Sequence, residues 1–261
     1  MSEKKRIDAR IVARTEVTTD IYSYLLEAPE AAAQAKAGQF INVYCKDKSR
    51  LLPRPISICE IEKEKGQLRI VFRINGEGTK ELATYGEGES LAIVGPLGNG
   101  FPVEEANGKR AVLFGGGIGI FPMLETAKSI SGDKTVILGY RNDDLFVSEE
   151  FEEKAGTKAV IATDDGSAGT KGNVLDAYAA SGICADVIYA CGPMPMLRAV
   201  KAYALEHDIA AYVSLEERMA CGIGACLACV CQSSQTDVHT NVNNKRICKE
   251  GPVFEVREVK L

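Results

Sequence analysis

The chain has 261 residues, 26% of them charged and 46% hydrophobic, with a formal charge of −5, enough for one large domain or two compact ones plus an appendage. That is the balance of an ordinary globular protein, and without a basic stripe or an acidic tail it argues against a nucleic-acid ligand. The N-terminus, MSEKKRIDARIVARTEV, lacks the apolar stretch of a signal peptide, and no window nears the roughly 18 continuous apolar residues of a membrane span. The expectation is a cytoplasmic protein with no membrane partner.

From Ile7 to about Pro102, short runs alternate apolar and polar residues: ARIVART, IYSYLLEA, QFINVYC, PISICEI, QLRIVFRI and SLAIVG. Turn residues separate them, and one short helix is predicted near Thr79 to Tyr85. Short strands at this spacing predict an antiparallel barrel or sandwich. After Asn107-Gly108 the pattern changes. RAVLF reads as a buried strand, followed by GGGIGI and a helix over Pro122 to Ser129. Next come the strand TVILGY, a helix around Glu149 to Lys154, KAVIATDD, a helix over Val174 to Ala180, and DVIYACG. A helix from Pro195 to His207 and a strand near Ala211 to Leu215 complete the series. Strands alternating with helices predict a parallel sheet covered on both faces. From Glu216 onward regularity is lost and cysteines dominate.

The chain has nine cysteines, and an odd count does not suit a secreted disulfide framework. Cys45, Cys59 and Cys184 are expected to be buried as small hydrophobes. The crowding between Cys221 and Cys248 has no such explanation. Its order is Cys221-x4-Cys226-x2-Cys229 with Cys248 distant. Four thiolates suit zinc or an iron–sulfur cluster, and this order is that of plant-type [2Fe-2S] ferredoxins, whereas structural zinc more often has two short knuckles. Glycines 222 and 224 and alanines 225 and 228 let the backbone wrap closely, with N–H groups toward sulfur. Cys231 is left outside the ligand set, because two residues past Cys229 an extended chain points it away.

Two further motifs suit phosphates. Arg54-Pro55-Ile56-Ser57 offers a guanidinium fork and a hydroxyl, and Gly78-Thr79 opens a short helix whose N–H groups favour a pyrophosphate. Alone, each half is equally consistent with a surface arginine before a strand and with a simple N-cap. Gly115-Gly116-Gly117-Ile118-Gly119 follows a buried strand and precedes a helix with Pro122 in its first turn; it is not G-x-G-x-x-G, but the close approach it permits is similar. Cys191-Gly192-Pro193 ends the last main strand, and Thr163 to Ser167 with Gly172 form a loop at the carboxyl end of another, where open α/β sheets bind ligands. Asp143 and Asp144 follow the second strand, where an acid bonds a ribose 2′-hydroxyl and repels a 2′-phosphate, so NAD is expected over NADP, although Arg141 beside them has the opposite tendency. His207 and His239 are expected to be surface or satisfied residues, and no acid–base constellation is visible.

Together these motifs resemble the ferredoxin–NADP reductase superfamily over residues 1 to about 213. The resemblance implies that R-P-x-S binds the flavin of FAD, that Gly78-Thr79 binds its pyrophosphate, and that Val71, Phe72 and Arg73 border its adenosine side. It also implies that G-G-G-x-G and C-G-P receive NAD, with the Cys-Gly pair near the nicotinamide. With the cluster motif C-G-x-G-x-C-x-x-C added, nearly the whole chain is similar to the electron-transfer subunits of type B dihydroorotate dehydrogenase. That likeness implies three units: an FAD-binding β-barrel (1–102), an NAD-binding α/β domain (103–215) and a [2Fe-2S] domain (216–261). It implies a separate FMN-containing catalytic subunit, two of each chain, and electron flow through [2Fe-2S] and FAD to NAD+ in pyrimidine biosynthesis. One departure is plain: plant-type reductases end in an aromatic residue stacked on the flavin, and this chain ends EVREVKL. Alternatives are a subunit of a ferredoxin:NAD(P) or sulfide-linked oxidoreductase, whose cluster often has an aspartate ligand, and a zinc-bearing flavin- or nucleotide-binding module.

Overall fold

Six strands close a barrel: β1 (Arg6–Thr18), β2 (Ile21–Glu27), β3 (Phe40–Tyr44), β4 (Arg54–Glu62), β5 (Gln67–Arg73) and β6 (Ser90–Leu97). The structure, a computed structural model, describes residues 5–144, 146–236 and 241–261, so His239 lies outside the described residues. The barrel order is β1-β2-β5-β4-β3-β6, antiparallel throughout. Strand alternation sends Tyr24, Leu26, Ile41, Val43, Ile70 and Ile93 inward, where they form the barrel core. Two short helices accompany the strands, where one was expected. The additional one, α1 (Pro29–Gln34), has proline at its start and buries Ala31 and Ala32; its PEAAAQ sequence favours helix, but at six residues it is too short to show periodicity. The other, α2 (Glu77–Leu82), begins two residues before Thr79, after Gly76 at φ 119°. The Thr79 hydroxyl accepts from the Asn75 N–H at 2.8 Å, so Thr79 locks the turn behind the helix rather than capping it.

The second sheet has the order β10-β9-β8-β7-β11-β12-β15. Its strands are β7 (Ala111–Gly116), β8 (Lys134–Tyr140), β9 (Ala159–Thr163), β10 (Thr170–Lys171), β11 (Val187–Cys191), β12 (Ala210–Ser214) and β15 (Val253–Glu255). The first six are parallel, and β15 joins antiparallel at the edge. The helices are α3 (Ile120–Ser129), α4 (Glu150–Ala155), α5 (Val174–Ser181) and α6 (Met194–Glu206). Alternate strand residues pack to opposite sides: Val112, Phe114, Ile188 and Val213 with α5 and α6, and Leu113, Val136, Leu138 and Tyr189 with α3 and α4. The chain runs outward from β7 to β10 and returns on the other side of β7 as β11. The crevice beyond the carboxyl ends of β7 and β11 is therefore the topological switch point, where ligands of open α/β sheets bind.

The segment after Glu216 adds a two-stranded ribbon, β13 (Val230–Gln232) with β14 (Asn244–Arg246). Its core is not separate. Phe40 and Leu97 of the barrel, Val213 of the sheet, and Cys229, Ile247, Cys248 and Phe254 share one apolar cluster. Asn99, after β6, donates from its backbone to the Gly251 carbonyl (2.6 Å) and from its side chain to the Glu250 carbonyl (2.9 Å). A boundary at residue 216 thus divides a chain trace rather than two cores. Cys59 is buried as expected, but Cys184 is exposed and Cys45 half-buried, because both lie where a strand or helix has given way to a loop.

Candidate cofactor sites

A cavity of about 490 Å³ lies between the outer face of the barrel, the start of α3 and the segment after β12. Arg54, Pro55, Ile56 and Ser57 reach it from β4, Val71, Phe72 and Arg73 from β5, and Thr79 from α2. Gly78 stands behind the wall. A Cβ there would lie 1.9 Å from Arg54 Nε, so the glycine is what lets the guanidinium lie flat on the helix start. Arg54 Nη1 also donates to the Leu52 carbonyl. The opposite wall comes from Ser214, Leu215, Glu216, Met219 and Pro252. Nothing in the local sequence marks those residues, which become a wall only when β12 and β15 dock against the barrel.

A second cavity of about 600 Å³ occupies the switch-point crevice. Of the expected residues, Gly116, Gly117, Gly192 and Pro193 line it. Gly115, Gly119 and Cys191 lie in the packing beneath: a Cβ on Gly119 would come 2.5 Å from the Cys191 carbonyl oxygen, and one on Gly115 would meet Leu138 and Ile120. Cys191 is buried, and burial pushes its thiol up to about 12. Farther out, Arg141, Asn142 and Asp144 line the cavity beyond β8, and Asp164 and Asn173 beyond β9 and at the start of α5. Thr18 of the barrel donates its hydroxyl to Asp144 Oδ2 at 2.8 Å.

The four cysteines Cys221, Cys226, Cys229 and Cys248 come together as two pairs. Cys221 Sγ and Cys226 Sγ are 3.3 Å apart, and the Cys226 N–H donates to Cys221 Sγ at 3.4 Å. Burial raises the Cys221 thiol, but backbone N–H groups of Ile223, Cys226 and Ala225 outweigh it and bring it down to about 6. Cys248 Sγ accepts from the Gly224 N–H at 3.2 Å. Burial, together with the adjoining Cys229 thiol, pushes Cys248 up to about 12. Among the described residues no three His, Cys, Asp or Glu side chains gather as a one-ion site. The chemistry of two thiol pairs flanked by backbone donors fits the four-thiolate donor set that a [2Fe-2S] cluster would need. Gly222 (φ 67°) and Gly224 (φ 82°) take left-handed conformations that let the loop wrap. The loop is held to the barrel by Asn42, fully buried on β3, whose Nδ2 donates to the Cys221 carbonyl at 3.2 Å. Cys231 lies in β13 opposite Lys245, outside both pairs.

The order of the sites in space differs from their order in the chain, with the first cavity between the thiol pairs and the second cavity. Phe40 lines the first cavity and packs in the same cluster as Cys229 and Cys248, while Pro252, four residues past Cys248, forms part of the cavity wall. On its other side the first cavity shares wall residues with the second.

Residues 8–101 match an oxidoreductase FAD-binding domain family, and residues 216–260 match the iron–sulfur cluster binding domain of dihydroorotate dehydrogenase B. The electron transfer subunit of dihydroorotate dehydrogenase B (NAD(+)) from Bacillus cereus (strain Q1) is 42% identical over 257 residues, covering 96% of this chain and 97% of that protein. The corresponding subunit from Bacillus anthracis has the same identity and coverage. Among solved structures, an NADH-dependent reduced ferredoxin-NADP oxidoreductase superposes with a TM-score of 0.82 at 28% identity, covering 100% of this chain and 91% of that one. A ferredoxin NADP+ reductase from Neisseria gonorrhoeae with FAD and NADP bound shares the fold, with a TM-score of 0.64 at 16% identity over 83% of this chain and 95% of the other. With 42% identity and near-complete coverage in both directions, this chain is a member of the family of dihydroorotate dehydrogenase B electron transfer subunits.

Proposed function

We propose that this chain carries electrons from an FMN-containing catalytic partner subunit, through [2Fe-2S] and FAD, to NAD+, completing the oxidation of dihydroorotate to orotate in pyrimidine biosynthesis. The observation that carries the reading is the unbroken order of thiol pairs, first cavity and second cavity across one shared core. In this reading Cys221, Cys226, Cys229 and Cys248 hold the cluster. Arg54, Ser57, Gly78 and Thr79 hold the FAD phosphates and ring edge, and Pro55, Ile56, Val71, Phe72 and Arg73 pack against its remainder. Gly115, Gly116, Gly117, Gly119, Cys191, Gly192 and Pro193 form the NAD crevice and its floor. FAD supplies the conversion between a two-electron hydride acceptor and a one-electron donor, so the protein itself needs only position and polarity.

The three units at 1–102, 103–215 and 216–261 are then an FAD, an NAD and a cluster unit, packed around a continuous core. The partner side is the cluster loop, where Ile223 and Leu227 stand exposed, because single-electron transfer needs a short path to the partner flavin. A heterotetramer with two of each chain, in the cytoplasm, completes the proposal; nine cysteines, none of them in a disulfide, suit a reducing compartment. No helix among the described residues is long and apolar enough to cross a membrane.

The deciding experiment is co-expression with the catalytic subunit. Co-purification of an FMN subunit is expected, with dihydroorotate-dependent NAD+ reduction by the complex and by neither chain alone. Absence of that activity in a complex loaded with all cofactors overturns the reading. A second test concerns the first cavity. Gly78→Ala drives a methyl into the Arg54 guanidinium and is expected to weaken FAD binding by about 10–100-fold, the worth of one charge-assisted hydrogen bond. Flavin retention after gel filtration measures it, and full retention rules out a phosphate-facing Arg54.

A further inference from the structure

Backbone N–H groups face the thiol pairs, and carbonyl oxygens of the same loop are held by side chains from two directions. Asn42 of the barrel holds the Cys221 carbonyl. Arg246, at the end of β14 and two residues before Cys248, donates from Nη1 to the Gly224 carbonyl at 2.8 Å. The peptide bearing that carbonyl also carries the Ala225 N–H, one of the donors directed at Cys221. The peptide before it supplies the Gly224 N–H to Cys248 Sγ. A hydrogen bond to a carbonyl polarises its peptide and strengthens the N–H opposite. Arg246 is itself fixed. Its Nε donates to Glu250 Oε2 at 3.1 Å and its Nη2 to Oε1, a fork that leaves the remaining corner, Nη1, for the loop. Glu250 Oε2 also accepts from the Arg246 backbone N–H at 2.7 Å. The cation therefore stands between its carboxylate and the cluster loop, near enough to interact electrostatically with Cys229 and Cys248.

Four thiolates make a [2Fe-2S] group anionic, and reduction adds one further negative charge, so a cation or a strengthened N–H donor beside it favours the reduced form. We propose that Arg246 is a positioning residue that raises the reduction potential of the cluster, through its hold on the Gly224–Ala225 peptide and through its charge. Glu250 orients that charge and partly offsets it. This rests on the reading of Cys221, Cys226, Cys229 and Cys248 as the ligands of a [2Fe-2S] cluster. Arg246 differs from the other groups at the loop in being both charged and held. Asn42 is held but neutral, whereas Lys249, whose side chain packs over Gly224, is charged but exposed, where water and salt screen it.

The test is a redox titration of the loaded complex, with the cluster followed by electron paramagnetic resonance. Arg246→Met is expected to move the electron equilibrium about tenfold away from the cluster, a potential about 59 mV lower for a one-electron couple. The turn that carries Cys248 should survive this change, because the N–H groups of Lys249 and Glu250 bond to the backbone carbonyl of residue 246. Glu250→Gln leaves the cation without its counter-charge and is expected to move the potential the opposite way. Lys249→Gln is the control, with an expected change of less than about twofold. A methionine variant with a full cluster and an unmoved potential overturns the proposal, and so does a Lys249→Gln shift as large as that of Arg246→Met. A Glu250→Gln potential that stays put or falls also overturns it, and this measurement decides the matter if the methionine variant fails to hold a cluster. A wild-type complex without iron and acid-labile sulfide is a different result, because it removes the cluster reading and this inference with it.

Discussion

Cys248→Ser is expected to abolish the cluster's visible absorbance and electron paramagnetic resonance signal while leaving FAD in place. Dihydroorotate-dependent NAD+ reduction by the complex should fall by more than about a hundredfold, beyond what losing a supporting partner around a metal site costs. Reduction of a dye by NADH, which needs only the FAD and NAD sites, should stay within about threefold. The split follows from the fold. Cys248 is buried, pairs with Cys229, and accepts from the Gly224 N–H, whereas Gly251 and Pro252 between it and the flavin cavity are held by backbone bonds to Asn99 and Leu215 that serine leaves intact. Cys231→Ser is the control and should retain the full spectrum, since Cys231 lies opposite Lys245 and outside both pairs. Loss of the cluster in that variant would redraw the ligand set.

The second large effect concerns how the barrel is fixed to the parallel sheet. Glu60 on β4 is 6% exposed. Its carboxylate accepts from Lys128 of α3 at 3.0 Å and from Lys154 of α4 at 2.9 Å, with Arg69 of β5 at 3.5 Å. Arg69 in turn donates to Glu150 of α4. Glu60→Gln removes the one anion that all three cations share; Arg69 and Lys154 keep Glu150, and Lys128 keeps Glu62 and Glu125, so the loss is expected at the lower end of the about 3–5 kcal/mol that a buried pair broken from one side costs. With about 3 kcal/mol lost, the melting temperature should drop by about 6–12 °C for a chain of this size, while the thiol pairs, remote from this contact, keep their spectrum. Burial raises the Glu60 pKa, but the bonds from Lys154 and Lys128 outweigh that and hold it below the usual carboxylate value. A group whose pKa is lower folded than unfolded adds stability that is complete above the unfolded value and is lost as pH falls through the folded one. The wild-type advantage over Glu60→Gln should therefore shrink as pH drops below about 4.5, which unfolding curves at several pH values would register. An advantage unchanged down to pH 3 would mean that Glu60 does not work through its charge.

Much of this architecture was legible in local pattern. All six barrel strands were read within a few residues, because a strand with one face in the barrel must alternate and turn residues mark its ends. The βα order was read because a buried parallel strand is a short apolar run and each helix starts and stops on its own signals. What escaped were elements without local content. Two residues of β10 and three of β15 are strands only because β9 and β12 offer them partners. Helix α1 is too short for a period, and α2 starts at Glu77 because Gly76 supplies a positive φ that no side chain announces. Cys184 was expected inside on the strength of residue type, and the loop before β11 leaves it exposed.

The same division applies to the sites. The spacing of the four cysteines, with glycines between them, specifies a sulfur-ligated group, because a loop that must fold back on one object leaves its ligands at short fixed intervals. R-P-x-S, G-T and the glycine run likewise name phosphates, since only certain side chains and bare backbone approach an anion closely. Spacing has no access to distance between segments far apart in the chain. That Cys221 and Cys226 form one pair, that Gly119 and Cys191 are floor rather than lining, and that Pro252 and Glu216 wall a flavin-sized cavity all depend on β15 closing the sheet edge and Asn99 drawing the last segment onto the barrel. Long-range packing set those positions.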